Sequence, residues 1–379
     1  GLLVSFERKS ELSTSATQGS FSFGAGGGRT AFQNFLTGNA DGGCGTGCVY
    51  TEPEREIDGR FRWSRYELFL QDSWRARPGL TLDLGVRYAV YPGVVEESDV
   101  LTSFVPARFD PAAAPAWSSP SATALVVGSG DFTNGITVAG RSSPWGRRLH
   151  PTRWDRVMPR LGVAWDPAND GRMLLRGGFG VYYDQPLVGV FLQNAFANPP
   201  FVTSPSVLNP RLSDPGAGQS PTTVAPAALV ATGDDFAPPR ALQWSLGVQR
   251  RLSRRAVVDA SYLGSRGDGL VQPVDVNAPL PADVVAANGV VNLARPYAGY
   301  AGITMRQTTA RSRYHALALG ARYDAGRSGT LAIAYTLGPS GVASLSMSNH
   351  SFLKSILRFS RIEMLLVSAI TASAIATFG

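Results

Sequence analysis

Leu80 to Val90 reads LTLDLGVRYAV, and its alternation decides the fold class. Leu80, Leu82, Leu84, Val86, Tyr88 and Val90 fall on one side of an extended chain, while Thr81, Asp83, Gly85, Arg87 and Ala89 fall on the other. Successive side chains of a strand point to opposite faces, so this segment is a strand with one apolar face and one small or polar face. The pattern returns in ALQWSLGVQ, with Leu242, Trp244, Leu246 and Val248 opposite Gln243, Ser245, Gly247 and Gln249. It returns again in LAIAYTL, with Leu331, Ile333, Tyr335 and Leu337 opposite Ala332, Ala334 and Thr336. In all, the pattern predicts eight strands: 64–74, 80–90, 157–166, 172–183, 240–250, 256–265, 314–324 and 330–337. Each is about ten residues long, which is what a tilted strand needs to cross a bilayer.

The connections fall into two kinds. RARPG from Arg75, PANDG from Pro167, RLSRR from Arg251 and AGRSG from Ala325 carry the chemistry of hairpin turns. The other three, 91–156, 184–239 and 266–313, are very long. Soluble domains rarely contain structureless loops of that size, whereas outer-membrane barrels join their strands by short periplasmic turns and long external loops. The expected fold class is all-β: an antiparallel transmembrane β-barrel, partial, with about 8–10 strands of a larger up-and-down barrel and long extracellular loops. The competing reading is a surface binding or adhesion protein on a β-sandwich, with two sheets packed apolar face to apolar face.

Spanning β-structure in lipid turns its apolar face outward and its polar face toward the lumen. Asp83, Arg87, Arg160, Arg176, Gln243, Gln249 and Arg322 are therefore the candidate lumen-facing residues. Tyr66, Trp74, Tyr88, Tyr91, Trp165, Tyr182, Tyr183, Tyr262 and Tyr323 gather near strand ends, where amphipathic rings suit the headgroup boundary. His315 shares a face with Leu317 and Leu319 and is expected at that boundary.

Composition agrees with a folded, turn-rich chain: 379 residues hold 42 Gly, 26 Pro, 18 Phe, 12 Tyr and 7 Trp, with only 17% charged residues. The net charge of +7 comes almost wholly from arginine, since Lys9 and Lys354 are the only lysines, and no long basic run offers a track for phosphates. Nucleic acid is not an expected partner. Cys44 and Cys48, the only cysteines, lie in GGCGTGC and form either a local disulfide or two free thiols. They are too few for a zinc site, so no metal and no cofactor is expected.

The remaining motifs support no catalysis. His150, His315 and His350 are far apart, acidic residues are scattered singly, and no nucleophile elbow can be read, so the chain is expected not to be an enzyme. RGD at Arg266 to Asp268 continues the end of the SYLGSRG strand and is read as chance. DPANDG from Asp166 is a turn without the ligands of a calcium loop. GAGGG at Gly24 is read as a flexible loop, with no helical pattern close behind it. Aromatics in the long loops (Phe104, Phe109, Trp117, Trp145, Trp154, Phe191, Phe196, Phe201) suit packing within the loops or stacking on a sugar ring, with packing preferred.

Several stretches, in order, resemble the TonB-dependent outer-membrane receptors, specifically the Oar-like branch, whose members often carry a carboxypeptidase-regulatory-like domain. They are AFQNFLTG at Ala31, RYELFLQDSWRARPGLTLDLGVRY at Arg65, MPRLGVAWDPANDGRMLLRGGFGVYYDQ at Met158, ALQWSLGVQRRLSRRAVVDASYLGSRG at Ala241, VDVNAP at Val274, and the run beginning RPYAGYAG at Arg295. The resemblance implies a barrel of roughly 22 strands around an N-terminal plug, taking up a solute with energy relayed by the TonB complex. The chain departs from that pattern. Eight strands, with two more in LLVSFER and GSFSFG, make less than half a barrel, and neither a plug nor a terminal aromatic strand is present. It starts at Gly1 without a leader pattern and is expected to be a barrel fragment, inactive alone. Its implied partners are outer-membrane lipid, an unknown solute, and the TonB complex only through a plug the chain lacks.

Two regions are expected. Residues 1–340 form the partial barrel, and 341–379 form an atypical apolar, Ser-rich tail of frameshifted or otherwise non-native origin. The first 340 residues contain four Ile, whereas the last 39 contain four Ile and eight Ser with no Asp. MLLVSAITASAIATF from Met364 reads as a marginal helix, shorter than the roughly 20 residues a helix needs to span a bilayer.

Overall fold

The computed structural model describes residues 1–13, 19–52, 56–203, 206–215, 223–338 and 342–347. Ten antiparallel strands form one sheet in chain order: β1 (Leu2–Leu12), β2 (Asp58–Arg77), β3 (Leu80–Val90), β4 (Arg156–Trp165), β5 (Met173–Tyr183), β6 (Arg240–Arg251), β7 (Ala256–Asp275), β8 (Tyr300–Asp324), β9 (Thr330–Leu337) and β10 (Val342–Met347). Along this ten-strand path each strand pairs with the next of the ten, so the path is up-and-down; Val95–Glu96 and Ala227–Thr232 join the same sheet off the path. Among the described residues the path is open, with β1 and β10 at its edges. Among those residues, no helix is long and apolar enough to cross a membrane.

The register sets the faces. Residues directly opposite on paired strands share a face, and Leu68↔Tyr88, Leu84↔Leu161, Leu161↔Phe179, Phe179↔Trp244, Leu246↔Tyr262, Tyr262↔Leu317 and Leu317↔Leu337 carry one apolar surface across strands β2 to β9. That surface is bare: Leu70 is 72% exposed, Leu84 44%, Leu161 52%, Leu246 65% and Ile333 50%. Burying such a side chain is worth about 1.5–3 kcal/mol. Leaving a band of them half exposed to water would forgo on the order of 10 kcal/mol, comparable with the ~5–15 kcal/mol net stability of a whole domain. The face therefore meets lipid, as outer-membrane β-barrels require. Two sheets closing over such a face, as a sandwich demands, do not occur among the described residues.

The short turns sit at one end of the sheet. In the first, Gly79 adopts φ +79°, and a Cβ there would lie 2.5 Å from the Asp166 carbonyl oxygen of the next turn. Asp166 in turn accepts from the Gly171 amide at 2.7 Å, closing the PANDG hairpin.

Beyond the short turns the structure corrects four expectations. The connection 266–313 is shorter than the sequence suggested, because β7 runs on to Asp275 and β8 starts at Tyr300. The connections 91–156 and 184–239 are folded: they contribute Thr102–Phe104 paired with Ile136–Val138, the helix Gly189–Phe196, and the strand Ala227–Thr232 lying parallel to β8. GSFSFG does form a strand, Ser20–Phe23, but it lies outside the barrel sheet, pairing with Cys48–Thr51, which also pairs with Ser206–Leu208. Just ahead of these, Thr30 and Gln33 make a capping box on the helix Ala31–Thr37, so a helix does follow GAGGG closely.

The folded connections make an external cap with two cores. Leu101, Leu149, Phe191 and Phe236 pack with Phe61 of β2, and Phe104 and Leu229 pack with Tyr300, Ile303 and Met305 of β8. The cap thus grips two strands far apart in the sheet. Of the tail expected over 341–379, only β10 is described; it continues the sheet past residue 340, and the apolar stretch from Met364 lies outside the described residues.

Candidate functional site

The face opposite the lipid-facing band carries a trough of about 590 Å³ across strands β2 to β8. Its floor is made by glycine: Gly85, Gly162, Gly178 and Gly180 stand where the alternation would otherwise place side chains. Gly162 lies opposite both Asp83 and Gly178, and Gly180 opposite both Arg160 and Gln243. Removing these side chains opens the polar face, and long residues beside the gap then form walls. Gln71, Asp83, Arg160, Tyr182, Gln243 and Tyr314 all line it.

The walls are ordered by their own contacts. The Arg160 guanidinium lies 4.8 Å from the centroid of the Tyr182 ring, a cation–π stack that holds both side chains extended. That ring covers Gly180, where a Cβ would come within 2.6 Å of the Tyr182 hydroxyl. Asp83 accepts from Ser73 Oγ at 2.7 Å. A planar cation on an aromatic ring, with amide and carboxylate groups nearby, suits a polar solute with hydrogen-bonding edges.

Toward the external end the same face holds a buried carboxylate. Glu67 is 4% exposed; its Oε2 accepts from Arg87 Nη1 at 2.8 Å and its Oε1 from the Tyr91 hydroxyl at 3.2 Å. Burial first, and then the Glu67 charge, push the Tyr91 phenol above its ordinary value. The neighbouring Arg156 lies 4.6 Å from the Tyr183 ring centroid.

All seven candidate residues share this face by register. Asp83, Arg160 and Gln243 meet in the trough, and Arg87 stands above it on Glu67. Arg176 (opposite Ala164 and Gly247), Gln249 (opposite Leu174 and Asp259) and Arg322 (opposite Val257 and Ala332) lie toward the short turns, away from the trough. Tyr182 and Tyr91 were assigned to the headgroup boundary and stand corrected: Tyr182 lines the trough, and Tyr91 is buried with its hydroxyl on Glu67 and packs with Met158 and Tyr183. The glycine floor and Tyr314 were missed. The signal was present in GGFG, where glycine falls on the polar positions of a strand.

Above the trough, the cap is tied together by buried amides. Asn194 Nδ2 donates to the Thr102 carbonyl at 2.8 Å, Asn198 Nδ2 to the Val230 carbonyl at 2.7 Å, and Ser103 Oγ to the Thr232 carbonyl at 3.0 Å. Phe104 and Phe191 are core residues of the cap and Phe196 packs against Phe61, whereas Trp154 is exposed. His150 is caged between Phe191 and Phe236, at centroid distances of 5.5 and 5.2 Å, and burial pushes its pKa down. In the outlying module, Cys44 and Cys48 are joined as a disulfide, and Arg29 forms an ion pair with Asp41. Among the described residues no group of three His, Cys, Asp or Glu side chains is placed to hold a metal.

A family model described as an outer membrane beta barrel domain matches residues 1–349. Among solved structures, the chain is similar to the copper transporter OprC at 13% identity and a TM-score of 0.37, covering 78% of this chain and 36% of that one. It is similar to the alcaligin outer-membrane receptor FauA of Bordetella pertussis at 11% identity and 0.34, covering 80% and 39%. It is also similar to the hemophore receptor HasR of Serratia marcescens at 14% identity and 0.37, covering 77% and 40%. The chain thus spans at most 40% of the length of these structures. No curated protein matches it.

Proposed function

The chain belongs to the outer membrane beta barrel domain family, a family of the bacterial outer membrane, and on that premise we propose that it supplies barrel strands and solute-facing loops to a TonB-dependent transport receptor. The Oar-like branch, which its sequence resembles, is the proposed place within those receptors. The observation that carries the reading is the pairing of a continuous lipid-facing band with a polar face whose trough lies below a folded cap. A passive barrel filled by side chains has no need of a glycine floor, whereas a receptor needs room and polar walls where a solute passes.

In this reading Asp83, Arg87, Arg160, Arg176, Gln243, Gln249 and Arg322 face the lumen, and the trough around Arg160 and Tyr182 is the part of the wall that touches solute. Contact with the TonB complex would run through a plug supplied by residues outside this sequence. The isolated chain is proposed to be inactive in transport, because an unpaired strand edge in lipid leaves backbone groups unsatisfied at several kcal/mol each.

Reconstitution tests both parts. The chain should partition into bilayers and show no solute-specific flux by itself. Recovery as a soluble monomer without detergent would overturn the membrane assignment of its apolar face, and gated, substrate-specific uptake by the isolated chain would overturn the inactivity.

A further inference from the structure

On the outward face, strands β6, β7 and β8 form a ladder whose rungs can be read by depth. From the short turns upward the rungs are Arg250, Val258 and Ala321; Val248, Ala260 and Leu319; Leu246, Tyr262 and Leu317; and Trp244, Gly264 and His315. Trp244 covers Gly264, and His315 Nδ1 lies 2.7 Å from the Tyr262 hydroxyl, so this rung is an amphipathic girdle. Directly above it the character changes. The next rung is Leu242, Arg266 and Arg313, and the one above is Arg240, Asp268 and Arg311.

From Leu242 to Arg250 a strand advances about 27 Å at ~3.4 Å per residue, which a tilt near ~40° turns into about 20 Å of depth, close to the ~25 Å apolar band of an outer-membrane barrel. The arginine rungs therefore sit at the headgroups of the external leaflet. Their charge is not balanced within the block. Asp268 accepts from Arg240 Nη2 at 3.1 Å and from Arg266 Nη2 at 2.9 Å, and among the described residues it is the only acid there. Arg311 and Arg313 are exposed, and among the described residues neither has an acidic partner. Three positive charges remain over five side chains.

We propose that Arg240, Arg266, Arg311 and Arg313 hold a phosphorylated lipid headgroup of the external leaflet, with its acyl chains against the Trp244, Tyr262 and Leu317 column. Arg240 and Arg266 are held in place by Asp268, while Arg311 and Arg313 supply the free guanidinium groups that pair bidentately with phosphate oxygens. The Arg-Gly-Asp tripeptide at 266–268 gains a role here. It lies in an extended strand with its Arg and Asp bonded to each other, a geometry for fixing a basic surface and not for presenting a loop. The inference rests on the outward face meeting lipid.

The test uses the full chain in neutral-detergent mixed micelles, with a bis-phosphorylated glucosamine disaccharide lipid, its dephosphorylated counterpart, and inorganic phosphate as probes. Lipid occupancy is read by native mass spectrometry. The parent should favour the phosphorylated lipid, and Arg311→Gln/Arg313→Gln should bind it on the order of tenfold more weakly. Arg108→Gln/Arg211→Gln, which removes equal charge from the external regions off this face, should bind as the parent does. Arg311→Lys/Arg313→Lys keeps the charge and gives up the bidentate fork, so it should bind between the parent and the Gln variant, which separates lost charge from lost fold. Equal occupancy for parent and Gln variant, equal binding of the dephosphorylated lipid, or displacement of the lipid by inorganic phosphate would each overturn the proposal. Insertion into neutral bilayers, measured in parallel, keeps the two claims apart: insertion without phosphate preference sinks this inference alone, whereas a chain that stays soluble sinks the lipid-facing reading beneath it.

Discussion

Leu246 and Phe104 are both large apolar residues in extended backbone, yet Leu246 is 65% exposed on β6 while Phe104 is 1% exposed inside the cap. The two regions solve one problem in different solvents. On the strands, lipid supplies the apolar partner, so the sequence needs only to alternate and no side chain has to find another. In the cap, water surrounds the chain, so Phe104 must be covered by Phe109, Tyr297 and Tyr300 drawn from distant segments. Regular backbone goes with the first solution and irregular backbone with the second.

The sharpest way to break the comparison is to remove a cap anchor. Phe104→Ala should cost about 3–5 kcal/mol through transfer and cavity terms, all of it local. Hydrogen exchange should speed up at Ser103 and Thr232 and stay slow in strands β3 to β6. Next in size, Leu246→Arg should destabilise the bilayer-inserted chain by ~2–4 kcal/mol, while Ser245→Arg, one residue along and on the opposite face, should change the unfolding midpoint little. If the two substitutions cost the same, the faces are not solvated differently.

Smaller is the effect expected at Glu67. Glu67→Ala leaves Arg87 and Tyr91 without their partner. Arg87 is one-third exposed and water can partly replace the carboxylate, so the loss should be about 1–2 kcal/mol in the denaturation midpoint. Smallest is a pH effect confined to the cap. His150 has a depressed pKa when folded and an ordinary one near 6.5 when unfolded. Below about 6.5 the unfolded segment binds the proton that the folded cage resists, so cap stability is full at neutral pH and falls as pH drops. Exchange of the amides around Leu149 and Phe191 should quicken toward pH 5, and His150→Phe should flatten that dependence.

What could be read from the residues follows the same division. Strands β3, β5, β6 and β9 were legible almost to the residue because lipid on one side and water on the other impose a period of two. The outer ends of β7 and β8 were not. Along TMRQTTARSR both faces carry polar residues, since these parts rise beyond the apolar band, and alternation disappears where both sides are wet. The cap was illegible for another reason: its contacts join segments such as Thr102 with Asn194 and Ser103 with Thr232, and no local pattern records such pairings. The helix Ala31–Thr37 was readable in principle from Thr30 and Gln33, but it is too short to show a hydrophobic period. In the candidate site, polar residues were identified by parity, whereas the trough itself depends on glycine, which alternation scoring treats as silent.

The central claim is that one face of this sheet meets lipid and the other meets water. Spin labels placed one at a time from Leu242 to Gln249 in bilayer-inserted protein test it most directly, with oxygen and a water-soluble nickel chelate as relaxing agents. The account predicts a period of two, with oxygen favoured at 242, 244, 246 and 248 and the nickel chelate at 243, 245, 247 and 249. Equal accessibility at odd and even positions, or the reverse assignment, would contradict it.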